Sequence, residues 1–201
     1  MTPTDPRDRI LDAAETAFAE RGLAGARVNA IADVAGVNKA MLYYYFGSKD
    51  ELYRAVLTRT MDQVVGRVST ELDRVEHAPS VRMEAMLDAY REVLRAHPLF
   101  ARIMARELAE GAPLAAPLLR ERLQPVLPRI QATMAQAAAS GDFNPRLATP
   151  LTIPVMVAPL IFAALAGPII APLFGDGLDE AYYATAKEVL LNGLRTREDR
   201  S

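Results

Sequence analysis

The chain has 201 residues, 51% of them hydrophobic, which is enough for one large or two small globular domains with a substantial core. Its formal net charge of -2 excludes a strong overall basic field, so any contact with nucleic acid must be local. The absence of cysteine excludes disulfides and thiolate chemistry. The first residues lack the apolar stretch of an export signal, and we therefore expect a cytoplasmic protein.

Glycine and proline clusters divide the chain into segments whose apolar residues recur at helical spacing, and no useful strand-like alternation is present. In the first segment, Asp5 can cap a helix that has Pro6 at its first position. Ile10, Ala14 and Phe18 then lie on one side of that helix, as core residues do. We expect an all-α protein with about nine helices.

A capping box of Ser48 and Glu51 opens a long segment without proline. This pattern predicts a single helix over residues 48–75. We expect that helix to link an N-terminal domain, residues 1–50, to a C-terminal domain, residues 51–201.

Two short helical segments surround Gly36. Small side chains at Ala32 and Ala35 allow two helices to cross closely, and glycine gives the backbone freedom that a tight turn needs. Ile31 and Leu42 supply apolar side chains on either side of the turn. The pattern predicts a helix-turn-helix, although short helix pairs also occur as plain structure.

The segment after Gly36 carries three tyrosines in succession, which cannot all face one core because neighbouring side chains on a helix point about 100° apart. With Leu42 directed inward, Tyr45 and Phe46 fall on the inward half of the helix. Ala40 and Tyr44 form the outermost ridge, flanked by Met41 and Tyr43. A small residue beside a phenol suits close approach to a major groove.

The stretch "VNAIADVAGVNKAMLYYYFGSKDEL", with Arg27 before it, resembles the DNA-binding signature of the TetR family of bacterial transcriptional repressors. The final "LLNGL", residues 190–194, resembles the hydrophobic last helix of that family. The resemblance implies an N-terminal three-helix DNA-binding domain with a helix-turn-helix, followed by a C-terminal helical domain for ligand binding and dimerisation. It also implies a homodimer on double-stranded operator DNA, released by a small effector.

The resemblance places eight residues at the DNA. Tyr43 and Lys49 occupy positions that hold phosphates, while Tyr44 and Tyr45 occupy positions that touch backbone or bases. Lys39, Ala40 and Asn29 occupy positions that face base edges or their rim, and Arg27 is a candidate phosphate contact. Asn29 has two open interpretations: it can pair with adenine, or it can cap the second helix. Asn38 stands where a cap of the recognition helix is expected.

The uncharged stretch from Leu147 to Gly175 is long enough to cross a bilayer, but its five prolines disfavour a span. The resemblance instead implies burial between subunits, with helices near 147–172 and 178–194 forming the dimer interface and no membrane segment. Apolar and methionine side chains on the middle helices would suit a lipophilic or aromatic ligand. The lining candidates, each of which can equally be plain core, are Met86, Tyr90, Phe100, Met104, Met134, Met156 and Phe162.

No catalytic constellation is recognisable. The two histidines, His77 and His97, lie far apart, and neither a phosphate-binding glycine loop nor a nucleophile motif is present. We expect no enzyme activity, no cofactor and no metal. The sequence favours a DNA-binding transcriptional regulator released by a mainly apolar ligand, and the alternative is a helical ligand-binding or adaptor protein without specific DNA binding.

Overall fold

The computed structural model describes residues 5–175 and 178–195. Within these ranges the chain forms ten α-helices and a 3-10 turn, Pro145–Leu147. The helices are α1 (Pro6–Gly25), α2 (Val28–Ala35), α3 (Lys39–Phe46), α4 (Lys49–Leu72), α5 (Pro79–Ala96), α6 (Pro98–Ala109), α7 (Ala115–Leu123), α8 (Leu127–Ala139), α9 (Thr152–Phe174) and α10 (Leu178–Leu194).

The all-α fold class is confirmed. The described residues hold one α-helix more than the expected nine because the sequence interpretation overlooked the break between α7 and α8. Pro125 lies in that break, and the residue before a proline is disfavoured in the α conformation. The long helix predicted over residues 48–75 is present as α4, but it ends at Leu72 rather than at residue 75. The Ser48 hydroxyl accepts a hydrogen bond from the Glu51 amide at 3.0 Å.

The chain folds into two compact units. The first contains the residues through Asp62 together with His97–Arg120, and the second contains Gln63–Ala96 together with the residues from Glu121 onward. Because α6 packs against α1, the first unit is larger than a three-helix domain. The boundary expected near residue 50, between a DNA-binding domain and a domain for ligand binding and dimerisation, stays a prediction.

In the first unit, α1 begins as its sequence predicts. The Asp5 carboxylate accepts a hydrogen bond from the Arg7 amide at 2.9 Å, and Pro6 occupies the first helical turn. Ile10, Ala14 and Phe18 are fully buried. The Phe18 ring meets the ring of Tyr53 on α4 edge to face, with centroids 4.9 Å apart. This apolar face holds α1 against α4.

Charged side chains add to the attachment of α1. Arg59 on α4 donates to the carboxylates of Asp12 at 2.7 Å and Glu15 at 2.6 Å. Arg106 on α6 donates to the backbone carbonyl of Glu20 at 2.8 Å.

On α6, buried Glu107 accepts hydrogen bonds from the amides of Leu114 and Ala115, where α7 begins. These two hydrogen bonds satisfy backbone donors that the N-terminus of a helix leaves without a partner.

The second unit has its own hydrophobic core between α4, α5, α8, α9 and α10. Its fully buried centre includes Met83, Leu87, Met134, Ala137 and Met156. The C-terminus of α4 is closed by Arg82, which donates to the carbonyl of Leu72 at 3.0 Å and to the side chain of Gln136 at 2.7 Å.

A polar network fixes α10 on α5. Asp88 accepts hydrogen bonds from the Tyr183 hydroxyl and from the Lys187 ammonium. One turn further along α5, Arg91 pairs with Asp179 at 3.1 Å and with Glu180 at 2.9 Å. Acidic groups thus precede basic groups along α5, and both are matched by opposite charges on α10, which favours a single register between these helices.

Several large apolar side chains on α9 and α10 are exposed in the isolated protomer. They are Val155, Phe162, Ile169, Leu173, Phe174 and Val189. Among residues 5–175 and 178–195, no helix combines the length and the apolar composition that crossing a membrane requires.

Candidate nucleic-acid interface

The turn between α2 and α3 is built by Gly36. This residue adopts the left-handed conformation, with φ 65° and ψ 38°. The Val37 amide donates to the carbonyl of Ala32 at 3.0 Å, and the Gly36 amide donates to the carbonyl of Asp33 at 3.2 Å. These two bonds form a Schellman motif, which ends a helix sharply and requires a residue that tolerates positive φ. The predicted helix-turn-helix is present.

The start of α3 is set by Asn38. Its side chain accepts a hydrogen bond from the Met41 amide at 2.7 Å, which confirms the predicted cap. Leu42 and Phe46 are buried on the inner side of α3, as are Ile31 and Ala35 on α2. The short helix is therefore held at its first residue by a cap and along its inner face by apolar packing.

The outer side of α3 is formed by Ala40 and Tyr44. Tyr44 is 84% exposed, and Ala40 is also exposed, which confirms the predicted outermost ridge. Tyr43 is 39% exposed and Tyr45 is 37% exposed, so the predicted inward orientation of Tyr45 is wrong. The Tyr45 ring instead lies edge to face with Tyr44, at a centroid distance of 5.4 Å. Both flanking tyrosines lie at the margin of the ridge.

Two lysines accompany this surface in different ways. Lys39 is exposed, with its ammonium 5.7 Å from the centre of the Tyr43 ring. Lys49 is half-buried and donates to the carbonyls of Ala24 at 3.4 Å and Ala26 at 3.3 Å. Lys49 thus ties the first turn of α4 to the C-terminal end of α1, a contact that the motif spacing did not indicate.

The start of α2 excludes one of the two interpretations of Asn29. Residue Arg27 occupies the cap position, without a side-chain capping bond, and the helix begins at Val28. Asn29 therefore lies within the first turn rather than at the cap, so the interpretation of Asn29 as a helix cap is wrong. Both Arg27 and Asn29 are exposed, and their predicted DNA contacts stay predictions.

Two arginines that the sequence interpretation missed also reach the helix-turn-helix. The Arg7 guanidinium lies 5.4 Å from the centre of the Phe46 ring. A Cβ atom placed on Gly36 would lie 3.4 Å from Nη1 of Arg9. Both residues precede the recognisable signature, and the spacing of residues along α1 does not by itself indicate that either of them lies near α3.

The residues predicted to line a ligand pocket do not form one group. Met86, Met134 and Met156 belong to the buried core of the second unit. Tyr90 is half-buried, and burial raises the pKa of its phenol to about 12. Phe162 is exposed, with its ring 6.3 Å from that of Tyr182. The first unit contains the other two candidates, buried Phe100 and half-buried Met104.

A separate groove of about 380 Å³ lies between α4 and α5 in the second unit. Arg67 and Glu92 face each other across it in an ion pair of 3.2 Å. None of the predicted pocket residues lines this groove.

Comparison with known proteins supports the interpretation of this surface. A family model described as bacterial regulatory proteins of the tetR family matches residues 10–56. The HTH-type transcriptional regulator RutR of Escherichia coli K12 is 29% identical over 192 residues, which cover 94% of this chain and 90% of RutR. The HTH-type transcriptional repressor NicS of Pseudomonas putida is 35% identical over 104 residues, which cover 50% of this chain and 47% of NicS.

Solved structures share the fold. The structure of the fatty acid degradation regulator FadR from Bacillus halodurans has a TM-score of 0.76 at 22% identity, covering 98% of this chain and 100% of that chain. Together with the exposed ridge on α3, the family match and the similarity to RutR define a helix-turn-helix regulator of transcription. Residues 10–56, from the core of α1 into α4, carry the DNA-binding segment of the tetR family of bacterial regulatory proteins.

Proposed function

We propose that this regulator is a cytoplasmic homodimeric repressor that leaves its operator when a small, mainly apolar ligand binds. The observation that carries the proposal is the ridge of Ala40 and Tyr44 on the capped helix α3. A small residue permits close approach to base edges, and an exposed phenol beside it finds partners in a major groove.

Contacts on both sides of this ridge divide into two kinds. Tyr43, Lys49 and Arg27 bind phosphates and fix the position of the protein on the duplex. Lys39, Asn29 and Ala40 face base edges. Tyr44 and Tyr45 touch bases or the adjoining backbone. Phosphate contacts supply affinity, whereas base contacts supply the sequence preference.

Dimerisation follows from the apolar residues on α9 and α10. Ile169, Leu173 and Val189 are exposed in the protomer, and large apolar side chains in such number favour burial against a second copy. A two-fold dimer binds two half-sites, so the operator is expected to be palindromic. The interface proposed here uses the helices near residues 147–172 and 178–194.

Ligand binding is assigned to the C-terminal domain, with Met86, Tyr90, Met134 and Met156 as lining candidates. Methionine side chains adapt to irregular shapes, which suits an apolar ligand entering a packed region. Release of DNA requires that the ligand bind the form with low DNA affinity more tightly than the form with high DNA affinity.

Fluorescence anisotropy tests the proposal on labelled DNA from the promoter of the protein's own gene. We expect salt-sensitive binding by a dimer, and weaker binding after Tyr43→Phe at a temperature where both proteins are folded. Val75→Ala serves as the control because Val75 is exposed and lies outside the helix-turn-helix. If a folded dimer binds no promoter fragment, including this one, the proposed repressor function is wrong.

The ligand is tested separately by a thermal-shift screen of apolar compounds. A compound that binds the free protein raises its melting temperature. We expect the same compound to reduce the anisotropy of the DNA complex. Compounds that raise the melting temperature without affecting DNA binding would contradict the proposed release.

A further inference from the structure

Two cations of α1 lie beside opposite ends of α3. Nη1 of Arg9 lies 3.4 Å from the position that a Cβ atom on Gly36 would take, in the turn that precedes α3. Arg7 lies over the ring of Phe46, the last residue of α3. Both arginines are exposed. A helix of eight residues is about 12 Å long, which is comparable with a major groove about 12 Å wide.

The two arginines keep their charge available. Among the described residues, neither forms an ion pair, whereas Arg54 pairs with Glu51 and Arg59 pairs with Asp12 and Glu15. Asp5 accepts a hydrogen bond from a backbone amide as the cap of α1. Asp8 is exposed and, like Asp5, reduces the net charge of this turn. The first turn of α1 is therefore no general basic patch, but it presents at defined places two guanidinium groups that form no ion pair with any described residue.

A guanidinium group is well suited to phosphate. It remains charged at any ordinary pH and can donate two parallel hydrogen bonds to phosphate oxygens. The neighbouring Phe46 ring limits the space open to the Arg7 side chain, and the nearby Gly36 turn limits that of Arg9. Pre-ordered side chains lose less entropy on binding.

We propose that Arg7 and Arg9 bind two DNA phosphates that border the groove segment read by α3. This proposal rests on the proposed DNA-binding function and adds a sequence-independent clamp from α1. The clamp accounts for how a chain with net charge -2 and a modest local excess of cations holds DNA.

The dependence of DNA affinity on salt tests the clamp. The probes are a labelled duplex obtained by in vitro selection on this protein and a second duplex of the same composition with scrambled sequence. The slope of log K against log salt concentration is negative, and each lost phosphate contact reduces its magnitude by about 0.9. We expect Arg7→Ala and Arg9→Ala each to reduce the slope by about that amount per bound protomer, with equal loss of affinity on both duplexes.

Conservative variants separate a phosphate contact from a structural role. Arg7→Lys and Arg9→Lys keep the positive charge, and we expect them to restore most of the slope. Arg146→Ala is the matched control, because Arg146 is an exposed arginine of the second unit without an ion pair among the described residues. Circular dichroism melting curves show that each variant is folded at the assay temperature.

Three outcomes would overturn the clamp. If the wild-type protein binds DNA and both alanine variants show the same salt slope as the wild type, the arginines touch no phosphate, while the proposed repressor function stands. Loss of affinity on the selected duplex alone would show that they read bases instead. Wild-type protein that binds neither duplex would remove the clamp together with the proposed function.

Discussion

The phenol of Tyr53 donates a hydrogen bond of 2.9 Å to the carboxylate of Glu107, and both side chains are buried. The second oxygen of Glu107 accepts hydrogen bonds from the amides of Leu114 at 3.1 Å and Ala115 at 2.9 Å. One buried carboxylate therefore joins α4, α6 and the beginning of α7. Its negative charge is favourable at the positive end of α7.

Removal of the Tyr53 hydroxyl should destabilise the protein without creating a large cavity. Tyr53→Phe leaves one oxygen of Glu107 buried without its donor, which costs about 1–3 kcal/mol of unfolding free energy. Urea titration followed by circular dichroism measures the loss. Tyr44→Phe is the control, because Tyr44 is exposed, and it should change the unfolding free energy by less than about 0.5 kcal/mol. Equal effects of the two variants would contradict the role assigned to this hydrogen bond.

Alkaline pH should lower the stability of the fold. Burial, and secondarily a hydrogen bond to Glu107, raises the pKa of Tyr53. Burial, and secondarily a hydrogen bond to Asp88, raises the pKa of Tyr183. Burial alone raises the pKa of Tyr90 to about 12. Above a pH of about 10, tyrosines of the unfolded chain lose protons that the folded chain retains. Stability is therefore complete below that pH and falls as pH rises through the folded values.

Unfolding free energies measured between pH 8 and pH 12 test this dependence. Tyr90 alone contributes a slope of up to about 1.4 kcal/mol per pH unit between its unfolded and folded pKa values. Tyr90→Phe should therefore make the decline less steep. A decline of the same steepness in the variant would show that Tyr90 ionises equally in both states.

The tyrosines of α3 should differ in what they contribute to DNA binding. If the Tyr43 hydroxyl holds a phosphate, Tyr43→Phe weakens binding by a similar factor on all sequences. If the Tyr44 ring touches bases, Tyr44→Ala changes the order of preference among duplexes, at about 1–3 kcal/mol for each affected base pair. In vitro selection with each variant measures both effects, and the reverse pattern would mean that the roles are exchanged.

The exposed apolar face of α9 and α10 should be needed for dimerisation. Ile169→Glu and Val189→Glu each place a charge at an exposed apolar position, so the protomer should fold while the proposed dimer dissociates. Sedimentation equilibrium measures the change in mass. Val75→Glu, at an exposed valine outside both helices, should leave the mass unchanged. Dimeric Ile169→Glu and Val189→Glu proteins would place the interface elsewhere.

Local features of the sequence predicted much of the fold because they act over three or four residues. Asn38 and Ser48 cap the helices that follow them, and Gly36 ends α2, as their residue types indicate. The exposure of Tyr45 was not predictable from a helical wheel, because it depends on what packs beside α3 rather than on the angle alone. The places of Arg7 at Phe46 and of Arg9 at the turn depend on the packing of α1, to which their spacing gives no guide.

The first compact unit is assembled from two stretches that lie apart in the sequence, and this has a consequence for how the protein can be divided. A fragment that ends at Asp62 would contain the whole helix-turn-helix but would lack Glu107, Arg106 and the packing of α6 on α1. Its Tyr53 hydroxyl would lose its acceptor, and an apolar side of α1 would face solvent. We therefore expect that the helix-turn-helix will not fold stably on its own, and that its transfer to another protein will require α6 to be supplied with it.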